Sequence, residues 1–215
     1  MYHILLSFVA AACLAATPAQ QPDHTAIQAE LMQYSYAELG WGSDWETVKQ
    51  ALAIAGGDVQ QLITEPADSV ARIRAVVQNQ TIFGNPATVG LLFDTAGGAS
   101  DTPILYGVTV QYQQENETDI KAALTARYGE PRPSYTDKNG VENPLESPGW
   151  ASPTTMEQAL TARQLAALRE AYNDIEQTRF EAIIRQPLAT ILLNEEANQI
   201  TYRGTAAAYC LALQK

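Results

Sequence analysis

Between Trp41 and Leu52 the dry and wet positions repeat with a helical period. Trp45, Val48 and Leu52 fall at i, i+3 and i+7 on one stripe, while Glu46, Lys49 and Gln50 take the other side. Ser43 is the expected N-cap, with Glu46 three residues on to close a capping box and Asp44 adding negative charge beside the exposed N–H groups. Gly56-Gly57 is the expected stop. Upstream, Ile27, Leu31 and Tyr34 at i, i+4 and i+7 predict a short helix, although Tyr34-Ser35-Tyr36 also alternates like a strand, and that boundary stays open.

Downstream the period shortens to two. Asp58 to Thr64 is ambiguous, but from Val70 to Gln78 the apolar residues Ala71, Ile73, Ala75 and Val77 alternate with Arg72 and Arg74, which predicts a strand with a helix as the competing reading. Thr81-Ile82-Phe83 is extended, Gly84-Asn85-Pro86 turns, and Thr88 to Asp94 runs back through Val89, Leu91 and Phe93. Ile104 to Gln113 carries the clearest alternation, with Tyr106, Val108, Val110 and Tyr112 assigned to one side. A second helix is predicted over Glu117 to Tyr128, closed by Gly129-Glu130-Pro131.

Residues 132–153 are rich in Pro, Asn, Asp, Ser and Gly and read as a long connection with a turn at Asp137-Lys138-Asn139-Gly140. From 154 to 186 Ala, Leu, Glu, Gln and Arg dominate, and Leu165, Leu168, Tyr172 and Ile175 form a seam. This predicts one long helix, or two joined near Gln177, ended by Pro187. Packing across its own sheet is favoured for it over a partner-docking or homodimer seam. Thr190 to Leu193, Gln199 to Tyr202 and Ala207 to Leu213 read as terminal strands, with a helix as the alternative for the last.

The expected fold class is therefore α+β: short helices packed on an antiparallel sheet, with one long inserted helix at 154–186. The organisation expected is a signal peptide at 1–19, an N-terminal segment at 20–40 and an α+β domain at 41–215, with half-units at 41–113 and 117–215 as an open alternative. Val48-Lys49-Gln50-Ala51-Leu52 is echoed by Ile120-Lys121-Ala122-Ala123-Leu124, and each helix runs out on Gly. With Gly42-Ser43 ahead of the first pair and Tyr128-Gly129-Glu130-Pro131 after the second, the chain resembles the small secreted and envelope modules of the SmpA/OmlA lipoproteins and the β-lactamase-inhibitor proteins. That resemblance implies a helix followed by an antiparallel sheet, a unit that can occur twice, and a binding or assembly role without catalysis.

Composition narrows the function classes more than it names one. A net charge of −11, from 13 Lys and Arg against 24 acids, argues against a nucleic-acid surface and against binding to an anionic membrane face. Ile4 to Ala16 is apolar and small-residue apart from Ser7, a secretory core, and Thr17-Pro18-Ala19 supplies small residues before a cleavage point. This run is too short to span a bilayer, so a periplasmic or secreted location without a transmembrane span is expected. Ala10-Ala11-Ala12-Cys13 is a loose lipid-attachment box, and a lipid anchor at Cys13 is the lesser reading. Cys210 then stays alone in an apolar run and reads as a small buried hydrophobe.

Catalytic chemistry is sparse. His3 falls in the leader and His24 in an N-terminal stretch expected to be mobile, which leaves no histidine for a Ser or Cys nucleophile; one Cys and one His cannot cage zinc. The loop at Asp137 lacks the later acid of a calcium hand, Gly97-Gly98 and Gly56-Gly57 lack a following Lys and helix, and Asn116-Glu117-Thr118 reads as a cap before a glycosylation site. No catalytic, cofactor-binding or metal-ligating residue is assigned, and no cofactor is expected. The aromatic set Trp41, Trp45, Tyr106, Tyr112 and Trp150 is weighed as a ligand groove against half-buried core, and core is favoured. The leading expectation is an exported non-catalytic binding or envelope-accessory protein acting on a protein or small-molecule ligand; the alternative is a secreted carboxylate-dependent hydrolase.

Overall fold

The computed structural model describes residues 23–54, 56–66, 71–96, 99–112, 117–137 and 139–213. The leader, its cleavage point, Cys13, Gly97-Gly98 and Asn116 lie outside them.

Helix α1 (His24–Gln33) starts on Asp23, whose carboxylate accepts from Thr25 N at 3.1 Å and Ala26 N at 3.2 Å. His24 thus opens a helix rather than sitting in a loose terminus. Ile27 and Leu31 are buried on its inner side, and together with Tyr36 and Leu39 they join the main core. Helix α2 (Trp45–Ala51) begins one residue later than the sequence pattern suggests. Asp44, not Ser43, is its cap, accepting from Thr47 N at 2.8 Å. Ser43 is committed elsewhere: its carbonyl accepts from Leu105 N at 2.8 Å, while Gly42 N donates to Leu105 O at 3.0 Å. Gly42 has φ +81°, and this turn stitches the approach to α2 onto a central strand.

The helix also stops before Gly56-Gly57. Ala53 N donates to Gln50 O and Ile54 N to Lys49 O, the paired bonds of a Schellman motif, with Ala53 at φ +49° in the place glycine usually takes and Ile54 buried beyond it. The stripe itself packs as its spacing demands. Val48 is fully buried, and Trp45 meets Phe93 edge-on at 5.9 Å.

Eight strands follow: β1 (Val59–Pro66), β2 (Ala71–Ile82), β3 (Asn85–Asp94), β4 (Ile104–Tyr112), β5 (Arg132–Thr136), β6 (Glu142–Ala151), β7 (Thr190–Asn194) and β8 (Gln199–Arg203). They form one antiparallel sheet in the order β1-β2-β3-β4-β8-β7-β6-β5. The order describes two four-stranded meanders whose last strands pair, Gly107 to Gln111 against Arg203 to Gln199. In β3, β4, β7 and β8 alternation puts one side of the strand into the core. Trp150, Ile191, Tyr202, Val108, Leu91 and Ala75 are successive partners across six strands, and all are buried. On the opposite side Thr201, Thr109 and Gly90 form a half-exposed row. Helix α3 (Glu117–Tyr128) covers the core side with Ile120 and Leu124, both fully buried.

Two strands lie where a connection was expected. The 132–153 stretch folds as the hairpin β5–β6, turned by Asp137, whose carboxylate accepts from Asn139 N and Val141 N, each at 2.9 Å. Its prolines obscured the pattern; Pro133 is tolerated because β5 is the sheet edge, and Pro144 and Pro148 lie outside the stretch Gly149–Ala151 by which β6 pairs with β7. Tyr106 leaves the row assigned to it. The β3–β4 register slips between Leu92 and Phe93, and this bulge sends Tyr106 to a small cluster with Ala96, Ile104 and Ala208.

The long inserted helix is absent. Residues 154–186 instead form α4 (Met156–Ala159), α5 (Ala162–Ala171) and α6 (Gln177–Ile184). Leu160 is extended, with φ −100° and ψ 143°, and Thr161 starts α5 afresh by a capping box with Gln164. The α5–α6 corner is tied by Arg169, which donates to the carbonyls of Tyr172 and Ile175, both at 3.0 Å, and lies over the Phe180 ring at 5.0 Å. Leu168 of the seam is buried in the main core. The seam's Tyr172 packs against Tyr209 of α7 (Thr205–Ala212), and Gln164 Nε2 donates to Leu213 O at 3.0 Å. Residues 207–213 thus take their helical alternative, with Ala206, Ala207 and Cys210 turned into the core. Gly204 precedes α7 because Trp41 lies against it: a Cβ there would sit 2.2 Å from the indole Cδ2. Among the described residues no helix is long and apolar enough to cross a membrane.

Candidate binding site

A cleft of about 430 Å³ opens where α1, α3 and the β5–β6 hairpin meet. Its origin is a fault in strand pairing. Arg132 faces Gly149 and Ser134 faces Pro144, so residues 145–148 stand opposite Pro133 alone and the two strands part between these pairs. Gly149 has no space for a side chain, since a Cβ there would meet Ile191 O at 2.3 Å, and this holds β6 tight on β7 while Arg132 pairs with it from the other side.

The inner wall is aromatic. Tyr34, just past the end of α1, lies 5.6 Å from Tyr128 at the end of α3, and Tyr128 lies 6.0 Å from Trp150 on β6. Trp150 is the buried base of this stack, and its indole N–H donates to Gly129 O at 2.6 Å, so it orients the wall and offers no hydrogen bond of its own. Arg127 lies over the Tyr128 ring at 5.4 Å and reaches Glu38 at 3.6 Å. The Tyr34 end is pinned by Glu30, whose carboxylate accepts from Thr154 N at 3.0 Å and Thr154 Oγ1 at 2.6 Å. That pair joins α1 to the segment leaving β6, the far lip of the cleft.

The outer lip is polar and comes from Gly129 to Thr136. Ser134 donates to Glu142, and Ser152 Oγ donates to Thr154 O while accepting from Ala189 N, both at 3.1 Å. These hydroxyls are occupied. Among the described residues the phenolic hydroxyls of Tyr34, Tyr128 and Tyr135, the Glu130 carboxylate and the Arg132 guanidinium form no hydrogen bond or salt bridge. Burial raises the pKa of all three phenols. For Tyr34 the Glu30 charge adds to this and Arg132 opposes it; for Tyr128 Arg127 opposes while Tyr34 and Glu38 add; for Tyr135 Asp137 adds. All three therefore stay neutral at physiological pH and can both donate and accept.

The aromatic set singled out from sequence does not assemble here. Trp41 lies on Gly204, Trp45 on Phe93, Tyr106 in the small cluster and Tyr112 in the main core; Trp150 alone reaches the cleft. Tyr34, Tyr128, Tyr135, Glu130 and Arg132 carried no local signal beyond helix ends and turns. What unites them is pairing between segments about a hundred residues apart, which period and spacing do not encode. Among the described residues Glu130 is the one carboxylate that lines the cleft. Among the described residues no three His, Cys, Asp or Glu side chains gather to hold a metal ion. Compared with family models, curated proteins and solved structures, the chain matches none.

Proposed function

We propose that this chain is an exported, non-catalytic binding protein that takes a small ligand into the cleft between α1, α3 and the β5–β6 hairpin. The observation that carries this reading is the concentration of unused hydrogen-bonding groups on an aromatic wall: three phenols, a carboxylate and a guanidinium beside the Tyr34–Tyr128–Trp150 stack. Its volume falls within the range of about 300–1,000 Å³ usual for ligand pockets, and a few convergent polar groups on an aromatic surface are the usual means of orienting a ligand there. Export is supported by the apolar leader at 1–19. Mass measurement of the processed protein is expected to give a chain beginning at Gln20; retention of the leader, or a lipid on Cys13, overturns soluble export.

The binding reading is tested by a chemically mixed fragment set, comprising neutral polyols, benzoate, an alkylammonium and a short-chain alcohol, followed by amide chemical shifts. Shifts clustered at Gly129, Ala151 and Ser152 are the expected result. Fragments that move no amide in the cleft, or move only distant ones, overturn it.

A further inference from the structure

We infer that the ligand of this cleft is a neutral saccharide ring; this rests on the binding reading above and specifies it. Among the described residues that line it, the cleft has no Leu, Ile, Val or Met, and its aliphatic side chains are those of Ala151 and Pro153. Its apolar surface is therefore mostly the flat faces of aromatic rings, which suit a ring stacked on them better than an acyl chain that needs a slot to enter. A strongly charged ligand fares no better. Glu130 and Arg132 present one charge of each sign two residues apart, so an anion or a cation meets repulsion along with attraction.

A pyranose matches both halves of the site. Its axial C–H face is apolar and suits the half-exposed ring of Tyr34, which stands at the open end of the stack because Tyr128 is covered by Arg127 on one side and packed on Trp150. Its hydroxyls each donate and accept, which answers groups that only accept (Glu130), only donate (Arg132) or do both (the phenols of Tyr34 and Tyr135). Carboxylate and guanidinium also address two neighbouring hydroxyls at once, the bidentate geometry that fixes a sugar's orientation.

The experiment titrates the full exported chain with a set of neutral mono- and disaccharides, including glucose, galactose, N-acetylglucosamine and their β-linked dimers, alongside benzoate and hexanol as non-sugar probes. Amide shifts at Gly129 and Ala151 report the cleft, and the indole N–H resonance of Trp150 reports its aromatic wall. At least one sugar is expected to saturate these signals, with Tyr34→Ala and Arg132→Ala each weakening it about tenfold. Tyr34→Phe keeps the ring, and is expected to weaken binding less than Tyr34→Ala does. Unchanged far-ultraviolet circular dichroism and unfolding midpoints separate lost binding from lost fold. Saturable shifts with benzoate or hexanol and none with any sugar overturn the saccharide assignment while leaving the binding reading standing. Silence from every probe overturns both.

Discussion

Ala53 occupies a conformation that costs an L-residue about 1–2 kcal/mol, because its Cβ crowds the following carbonyl at φ +49°. Its side chain is exposed and its backbone closes α2. Ala53→Gly is therefore expected to stabilise the protein by about 0.5–1 kcal/mol, the relieved strain exceeding the added freedom of the unfolded chain; urea unfolding measures it. The same residue explains why the helix end was misplaced in sequence: the eye goes to Gly56-Gly57, whereas the bonds are made by an alanine.

Cys210 and Tyr209 give the protein a pH dependence of known sign. Burial pushes the Cys210 thiol from 9.0 up to about 12. Burial, with Tyr172 and Cys210 as neighbours, pushes the Tyr209 phenol from 10.0 up to about 12. Below pH 9 both groups carry their protons folded or unfolded, and stability is flat. Above it the unfolded chain ionises first, so stability falls from about pH 9 to about pH 12. Unfolding midpoints are expected to decline over that window, and Cys210→Ala to remove the part that begins at pH 9.

At the scale of elements, the capping boxes show what was legible and missed. Thr155-x-x-Gln158 and Thr161-x-x-Gln164 both stand in the sequence as helix starts, and in the fold Gln158 and Gln164 each accept from the backbone N–H of their threonine, at 2.8 and 2.9 Å. The apolar seam from Leu165 to Ile175 reads by period alone as one long helix or two joined near Gln177; the second form has the α5–α6 break, but neither has the break between α4 and α5. Thr161→Ala is expected to cost about 1 kcal/mol and to raise hydrogen exchange over residues 162–165 before the rest of α5. Strands β2, β3 and β4 were legible because each buries one side; β5 and β6 were not, because an edge hairpin with three prolines has no alternation to display. The cleft inherits that opacity, being made where the hairpin's pairing fails.

For the molecule as a whole, the β4–β8 pairing matters most. It makes two meanders one sheet, and the buried row from Trp150 to Ala75 runs through the junction without a break. Unfolding is expected as one calorimetric transition with matching van't Hoff and calorimetric enthalpies, and two resolved transitions would contradict a shared core. Ile27, Leu31, Tyr36 and Leu39 belong to that core, so shortening the chain to residue 41 removes part of what the transition measures.

The parted strands beside Pro133 have a last consequence, for self-association. Sheets polymerise by adding a strand to an open flank, and a flank that lacks an amide donor and bends out of plane offers a poor template. Edge-to-edge association of the folded chain is therefore expected to use the β1 flank before the β5 flank, which cross-linking in concentrated solution checks.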